Sequence, residues 1–82
     1  MIILPLRREL EGYLKKRNLT KKFDKQRKLL GQNFSHPSLN VELLEPVHLR
    51  FFSFRIDKKY RAVFFFVAPG IIEITDINNH YR

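Results

Sequence analysis

The segment from Phe51 to Val67 constrains the fold of this chain more than any other stretch. It holds six of the eight phenylalanines, in two apolar runs separated by Asp57-Lys58-Lys59. Aromatic and β-branched residues favour strands, and a short charged interruption favours a tight turn. The sequence therefore predicts a β-hairpin with strands over residues 51–56 and 60–67.

Two arginines, Arg55 and Arg61, lie inside these apolar strands, where a guanidinium is costly unless an anion meets it. Side chains alternate between the faces of a sheet, so the length of the turn decides whether the two arginines share a face. We expect a three-residue turn with Asp57 opposite Arg61, which places both arginines on one face; a two-residue turn would separate them. The structural alternative is that Arg61 forms an ordinary salt bridge with Glu42, Glu45, Glu73 or Asp76.

The rest of the chain predicts two helices followed by short strands. One apolar stripe at helical spacing indicates a helix over residues 6–17, and a second runs from Phe23 to Phe34 after Thr20, the expected N-cap. Turn formers end the second helix, strands are predicted at 41–45 and 71–77, and the state of residues 1–4 is open. This order predicts a single α+β domain over residues 1–82, with a helical hairpin on one face of a small antiparallel meander.

The net charge of +8 is concentrated in the predicted helices. Residues 7–28 carry ten Lys or Arg against three acids, a balance of +7, which leaves +1 for the rest of the chain. Such a block favours an anionic partner, either a nucleic acid or an acidic protein. A basic helix face that is merely solvated is the alternative.

Composition excludes several kinds of site. The chain has no cysteine, and its histidines, His36, His48 and His80, lack the paired spacing of zinc ligands. We therefore expect no metal and no other cofactor. The N-terminus is too short for a secretion signal, and no apolar run approaches the roughly 20 residues of a membrane span. We expect a cytoplasmic protein without a membrane partner.

Several short motifs occur in an order that resembles one known family. His36-Pro37-Ser38-Leu39 precedes a short strand, Ser53-Phe54-Arg55-Ile56 is followed by Tyr60-Arg61-Ala62-Val63, and His80-Tyr81 comes after the last strand. Over about residues 19–82 this pattern is similar to the RelE/ParE superfamily of bacterial type II toxins, most of all to its RelE and YoeB messenger-RNA interferases. The resemblance implies a RelE-like fold, although the N-terminal strand is short or missing and no C-terminal helix follows.

The resemblance also implies an endoribonuclease that cleaves messenger RNA in the ribosomal A site, without a metal, by attack of a ribose 2'-hydroxyl on the adjacent phosphate. By matched position, Glu42 would be the general base and Arg61 the stabiliser of the charged phosphorane. His80 would be the general acid and Tyr81 a base-stacking or orienting group. In-line phosphoryl transfer needs such an acceptor, donor and fixed cation, and only RNA offers the 2'-hydroxyl. A loose chain end without a chemical role is the alternative for His80-Tyr81.

Contacts to RNA and protein partners follow from the same resemblance. Arg55 would support the phosphate backbone, and Ser53 stands where RelE has a second lysine. The turn residues Lys58 and Lys59 are also expected to contact RNA. The lysines of the second helix are expected to dock on ribosomal RNA; they are Lys21, Lys22, Lys25 and Lys28. A cognate antitoxin with an acidic or amphipathic segment would cover this surface in a heteromeric complex.

Two other functions fit the sequence. A ParE-like member of the same fold would inhibit DNA gyrase and cleave nothing. A simple RNA-binding module would stack bases on exposed aromatic residues of the sheet and use the basic helices, with no need for Glu42 or His80.

Overall fold

The computed structural model describes residues 1–79, in which two helices pack on one face of a five-stranded sheet. The helices are α1 (Arg8–Lys16) and α2 (Thr20–Gln32). The strands are β1 (Ile2–Ile3), β2 (Glu42–Leu43), β3 (Phe52–Arg55), β4 (Arg61–Ala68) and β5 (Ile71–Asn78), in the spatial order β1-β5-β4-β3-β2. The predicted α+β architecture is confirmed.

Strands β2 to β5 form the predicted antiparallel meander, and β1 extends it into a mixed sheet. Ile2 lies opposite Ile71 and Ile3 opposite Ile72, in parallel pairing. The chain reaches β5 from β1 only after both helices and three other strands, and a long connection of this kind permits parallel pairing. The open question of residues 1–4 is thus answered by a strand of two residues.

The helical hairpin forms because both helices bury one apolar side against the sheet. In α1 the acids lie in the first turn and Lys15 and Lys16 in the last, which suits the helix dipole. The prediction of Thr20 as N-cap of α2 is wrong by one residue, because the N-cap is Leu19. Asn18, at φ 58°, reverses the chain, and the side chain of Leu19 is then buried in the core.

The core lies between the helices and one face of the sheet. Phe23 of α2 packs on Phe54 of β3, with 6.1 Å between ring centroids, and Phe54 contacts Phe64 of β4. The buried apolar residues are Leu10, Leu14, Leu19, Phe23, Leu30, Leu39, Phe54, Ile56, Ala62, Phe64, Ile72, Ile74 and Ile77. Since successive strand residues alternate, the residues flanking Phe54 project from the opposite face.

The turn between β3 and β4 decides the register of the central hairpin. The Ile56 N–H donates to the Tyr60 carbonyl at 2.9 Å, which leaves Asp57-Lys58-Lys59 as the expected three-residue turn. The prediction that Asp57 lies opposite Arg61 is wrong, because the residue opposite Arg61 is Arg55. A turn closed by Ile56 and Tyr60 pairs the residues just outside them. The two arginines therefore share one face of the sheet, as predicted.

Candidate active site

The sheet face turned away from the helices carries two of the four predicted catalytic residues, Glu42 and Arg61. Glu42 on β2 lies opposite Ser53 on β3, and Arg55 on β3 lies opposite Arg61 on β4. Opposed residues share a face, and so do residues two apart on one strand. Glu42, Ser53, Arg55 and Arg61 therefore project from the same surface.

Arg61 is buried and held by oxygen acceptors. The residue is only 4% exposed, and its Nε donates to the Ser53 hydroxyl at 3.0 Å. Its Nη2 donates to the Ser53 carbonyl at 3.3 Å and to the Asn40 carbonyl. Ser53 itself is 1% exposed. These three hydrogen bonds hold the guanidinium in one orientation, near the Glu42 carboxylate.

The electrostatic surroundings of Arg61 favour an added anion. Burial lowers the pKa of Arg61, the nearby Glu42 carboxylate opposes that shift, and the Arg55 cation adds to it, so the net pKa lies below its ordinary value. An arginine remains charged at neutral pH even so. An anion placed beside Arg55 and Arg61 would offset both the desolvation and the repulsion between the two cations.

Asn40 is a site residue that the sequence reasoning missed. It follows a short 3-10 helix, Pro37–Leu39, and adopts a left-handed backbone with φ 46°. Its carbonyl accepts the hydrogen bond from Arg61, and its side-chain amide donates to Glu42 Oε2 at 3.3 Å. The only signal was residue type, since asparagine adopts this conformation more readily than most residues.

Gln26 of α2 was also missed, and it fastens the site to the helices. It is 7% exposed, and its Nε2 donates to the Ser38 carbonyl at 3.1 Å and to the Arg55 carbonyl at 2.9 Å. One amide thereby holds the segment that leads to Asn40 against the end of β3. A polar residue within the apolar stripe of α2, between Phe23 and Leu30, was the available signal.

A cleft of about 250 Å³ opens over these residues. It is lined by Asn40, Glu42, Arg55, Asp57, Lys58, Lys59 and Arg61, so it combines carboxylates with four cations. Lys58 and Lys59 are exposed at its rim. A larger hollow of about 560 Å³ beside Phe34 and Leu43 contains neither arginine. Of these two, the smaller cleft, which contains both Arg55 and Arg61, is better suited to a phosphate group.

Asp57 secures the turn that forms one wall of the cleft. Its Oδ1 accepts from the N–H groups of Lys59 and Tyr60, both at 2.8 Å, and Lys22 Nζ lies 3.4 Å from its Oδ2. Burial alone would raise the pKa of Asp57, but the two N–H groups and the Lys22 ammonium stabilise the carboxylate. The net pKa is below its ordinary value.

The remaining predicted lysines lie on α2, outside the cleft. Lys21, Lys25 and Lys28 are exposed and follow one side of the helix at spacings of four and three, and we call them the lysine stripe. Lys22 points instead toward the turn at Asp57. The structure thus separates a cationic cleft from a cationic helix face.

The predicted catalytic residues His80 and Tyr81 lie outside residues 1–79. Within that range no group of three or more His, Cys, Asp or Glu is placed to hold a metal ion. The helices of the same part of the chain are too short or too polar to cross a bilayer.

Comparison with solved structures places this fold among bacterial toxins. A YoeB/ParE toxin from Agrobacterium tumefaciens superposes with a TM-score of 0.73 at 15% identity, covering 99% of this chain and 100% of that one. The YoeB dimer of Staphylococcus aureus gives 0.70 at 24% identity, covering 98% and 94%. The heterotetrameric YoeB–YefM toxin–antitoxin complex of the same organism gives 0.68 at 23%, again covering 98% and 94%. No protein-family model and no curated protein matches the sequence. The resemblance drawn from the motifs is confirmed in the fold, which is that of YoeB.

Proposed function

We propose that this chain, as a single RelE-like domain over residues 1–82, is the toxin of a type II toxin–antitoxin system. Its activity is that of a metal-independent endoribonuclease that cleaves messenger RNA on the ribosome. The observation that carries the proposal is the meeting of Glu42 with Arg55 and Arg61 in one cationic cleft. The YoeB fold supports it, since the solved structures that share this fold are toxins.

Glu42 and Arg61 supply two of the groups that RNA cleavage by the 2'-hydroxyl requires. Glu42 accepts the proton of the 2'-hydroxyl, whose oxygen attacks the adjacent phosphorus. Arg61 donates hydrogen bonds to the phosphorane oxygens as their negative charge increases, and Arg55 holds the phosphate backbone. The bond from phosphorus to the 5'-oxygen then breaks, leaving a 2',3'-cyclic phosphate. His80 donates the proton that the leaving 5'-oxygen takes up, and Tyr81 orients or stacks on a base.

Burial of Arg61 serves this chemistry by preorganisation. The Ser53 hydroxyl and two carbonyls hold the guanidinium before substrate arrives, so little reorganisation is needed in the transition state. We infer that Ser53 acts through Arg61 and does not itself contact RNA, because it is buried beneath it.

The partners follow from the two cationic surfaces. Lys58 and Lys59 at the cleft contact messenger RNA, and the lysine stripe with Lys22 docks on ribosomal RNA through phosphate contacts. The site of action is the cytoplasm, where ribosomes are found. A cognate antitoxin neutralises the toxin in a heteromeric complex, by analogy with the YoeB–YefM heterotetramer of Staphylococcus aureus.

The test is mapping of messenger-RNA ends after the purified chain is added to translating ribosomes. Wild-type protein should create new 3' ends within the A-site codon. Arg61→Ala should lower the cleavage rate by roughly 100- to 1000-fold, the effect of removing one transition-state donor. Glu42→Gln and His80→Gln should lower the cleavage rate by roughly 100- to 10,000-fold, the range for loss of a general base or acid.

Arg50→Gly is the matched control, because it removes a guanidinium outside the cleft. Arg50 has φ 58°, which glycine adopts without strain, so the fold and the cleavage rate should be retained. Intact messenger RNA with wild-type protein would overturn the proposal. Inhibited DNA supercoiling would then favour the ParE-like alternative, and salt-sensitive RNA binding that survives Glu42→Gln would favour the binding module.

A further inference from the structure

Asn40 contacts both the proposed general base, Glu42, and the proposed catalytic cation, Arg61. Its backbone carbonyl accepts from Arg61 Nη2, and its side-chain Nδ2 donates to Glu42 Oε2 at 3.3 Å. The residue is exposed and lines the cleft, so burial of its own side chain does not explain the arrangement.

We propose that Asn40 is a positioning residue that sets the placement of the general base relative to the catalytic arginine, an inference that rests on the proposed nuclease function. Its backbone fixes Arg61 and its amide fixes Glu42. Two reacting groups are thereby held by one residue, and errors in their relative position are reduced. A displacement of about 1 Å in such groups lowers a rate by about 100-fold.

The backbone contribution depends on the left-handed conformation of Asn40. The Asn40 N–H donates to the Pro37 carbonyl at 3.2 Å, which ends the 3-10 helix, and the φ of 46° then turns the Asn40 carbonyl toward Arg61. A β-branched residue resists this conformation, whereas glycine adopts it freely. Substitution by valine should therefore redirect the carbonyl, and substitution by glycine should not.

The side-chain contribution depends on a donor at the same position. The Asn40 amide reaches a carboxylate only two residues along the chain, which limits the positions available to Glu42. Glycine removes this donor. Aspartate keeps the size and tolerates the backbone, but it cannot donate and places a second negative charge near Glu42.

Three variants separate the two contributions in the ribosome assay. Asn40→Gly should lower kcat by about 5- to 10-fold with KM unchanged. This is the effect of losing one weak hydrogen bond to a charged group, since the donor–acceptor distance of 3.3 Å is long for such a bond. Asn40→Asp should lower kcat at least as much. Asn40→Val should lower it by on the order of 100-fold. Wild-type kcat in Asn40→Gly would overturn the side-chain contribution, and wild-type kcat in Asn40→Val would overturn the backbone contribution.

NMR measurement of hydrogen exchange tests the inference without measuring cleavage. The Arg61 Nη2–H protons, which donate to the Asn40 carbonyl, should exchange slowly with solvent in the wild type and in Asn40→Gly, and at least 10-fold faster in Asn40→Val. Equal exchange in all three proteins, or rapid exchange in Asn40→Gly, would overturn the backbone contribution. If Asn40→Val does not fold, Asn40→Ala takes its place in the comparison, since alanine also disfavours a positive φ but is not β-branched.

The Asn40 side-chain amide resonances report the second contact. Glu42→Gln should shift them, whereas Glu45→Gln, a matched change at an exposed glutamate nearby, should leave them in place. Equal effects of the two substitutions would overturn the contact. Since neither resonance measurement uses RNA, an inactive wild type would count against the proposed function and not against the positioning by Asn40.

Discussion

Replacement of Ser53 by alanine tests the support beneath Arg61. The Ser53 hydroxyl accepts from Arg61 Nε at 3.0 Å, and the two residues are 1% and 4% exposed, so water has little access to replace it. A buried charged donor that loses its acceptor costs about 1.5–3 kcal/mol. For a domain of this size each kcal/mol lowers Tm by about 4–8 °C, so Ser53→Ala should lower Tm by roughly 10 °C.

The assay is thermal and urea unfolding of four proteins in a double-mutant cycle. These are the wild type, Ser53→Ala, Arg61→Met and the double variant. Removing both partners leaves no orphaned donor, so the double variant should be more stable than Ser53→Ala alone. We expect a coupling free energy of at least about 1 kcal/mol.

Additive effects of the two substitutions would refute this reasoning. In that case the lower stability of Ser53→Ala would come from altered packing and not from loss of the hydrogen bond to Arg61. Ser35→Ala, at an exposed serine outside the cleft, should change Tm by less than about 2 °C and controls for loss of a hydroxyl.

Three further predictions concern the turn at Asp57, the hydrogen bonds of Gln26 and the proposed ribosome contact. Asp57→Ala should lower the free energy of unfolding by about 1–2 kcal/mol at pH 7, because two N–H groups lose their acceptor. The folded-state pKa of Asp57 is depressed, so this contribution is present above the unfolded value of 3.8 and is lost as pH falls through the folded pKa. Denaturation of wild type and variant from pH 7 to pH 2 should show the difference shrinking in that acidic range, and a constant difference would contradict it. Gln26→Leu should cost about 1–2 kcal/mol by removing this donor from two partly buried carbonyls, measured by urea unfolding against the exposed control Gln32→Leu. Lys25→Glu in the lysine stripe should weaken ribosome binding at 50 mM salt with little change at high salt, and equal weakening at both would argue against a phosphate contact.

The sequence predicted those features that a local pattern encodes. Two apolar runs rich in phenylalanine and the charged break between them defined the central hairpin, and side-chain parity placed Arg55 and Arg61 on one face. The error in pairing Asp57 with Arg61 concerned only which residues close the turn. The two-residue β1 has too few residues to show a period, so it stayed open.

The supporting residues were beyond this kind of reasoning because their contacts join segments distant in sequence. Gln26 meets Arg55 across 29 positions, and Asn40 meets Arg61 across 21. No periodicity marks such pairs, and each residue alone resembles an ordinary helix or loop position. Their function becomes visible only when α2, the 3-10 helix and the hairpin are packed together.

Burial of Arg61 carries a desolvation cost that its hydrogen bonds must offset. Desolvation lowers its pKa, which means that the folded protein disfavours the charged form relative to water. Apolar replacement of a buried charge together with its partners is often neutral or stabilising. The double variant Ser53→Ala/Arg61→Met should therefore fold while lacking cleavage. Under the proposed function, Ser53 and Asn40 hold this desolvated guanidinium where it can stabilise the phosphate of a bound RNA.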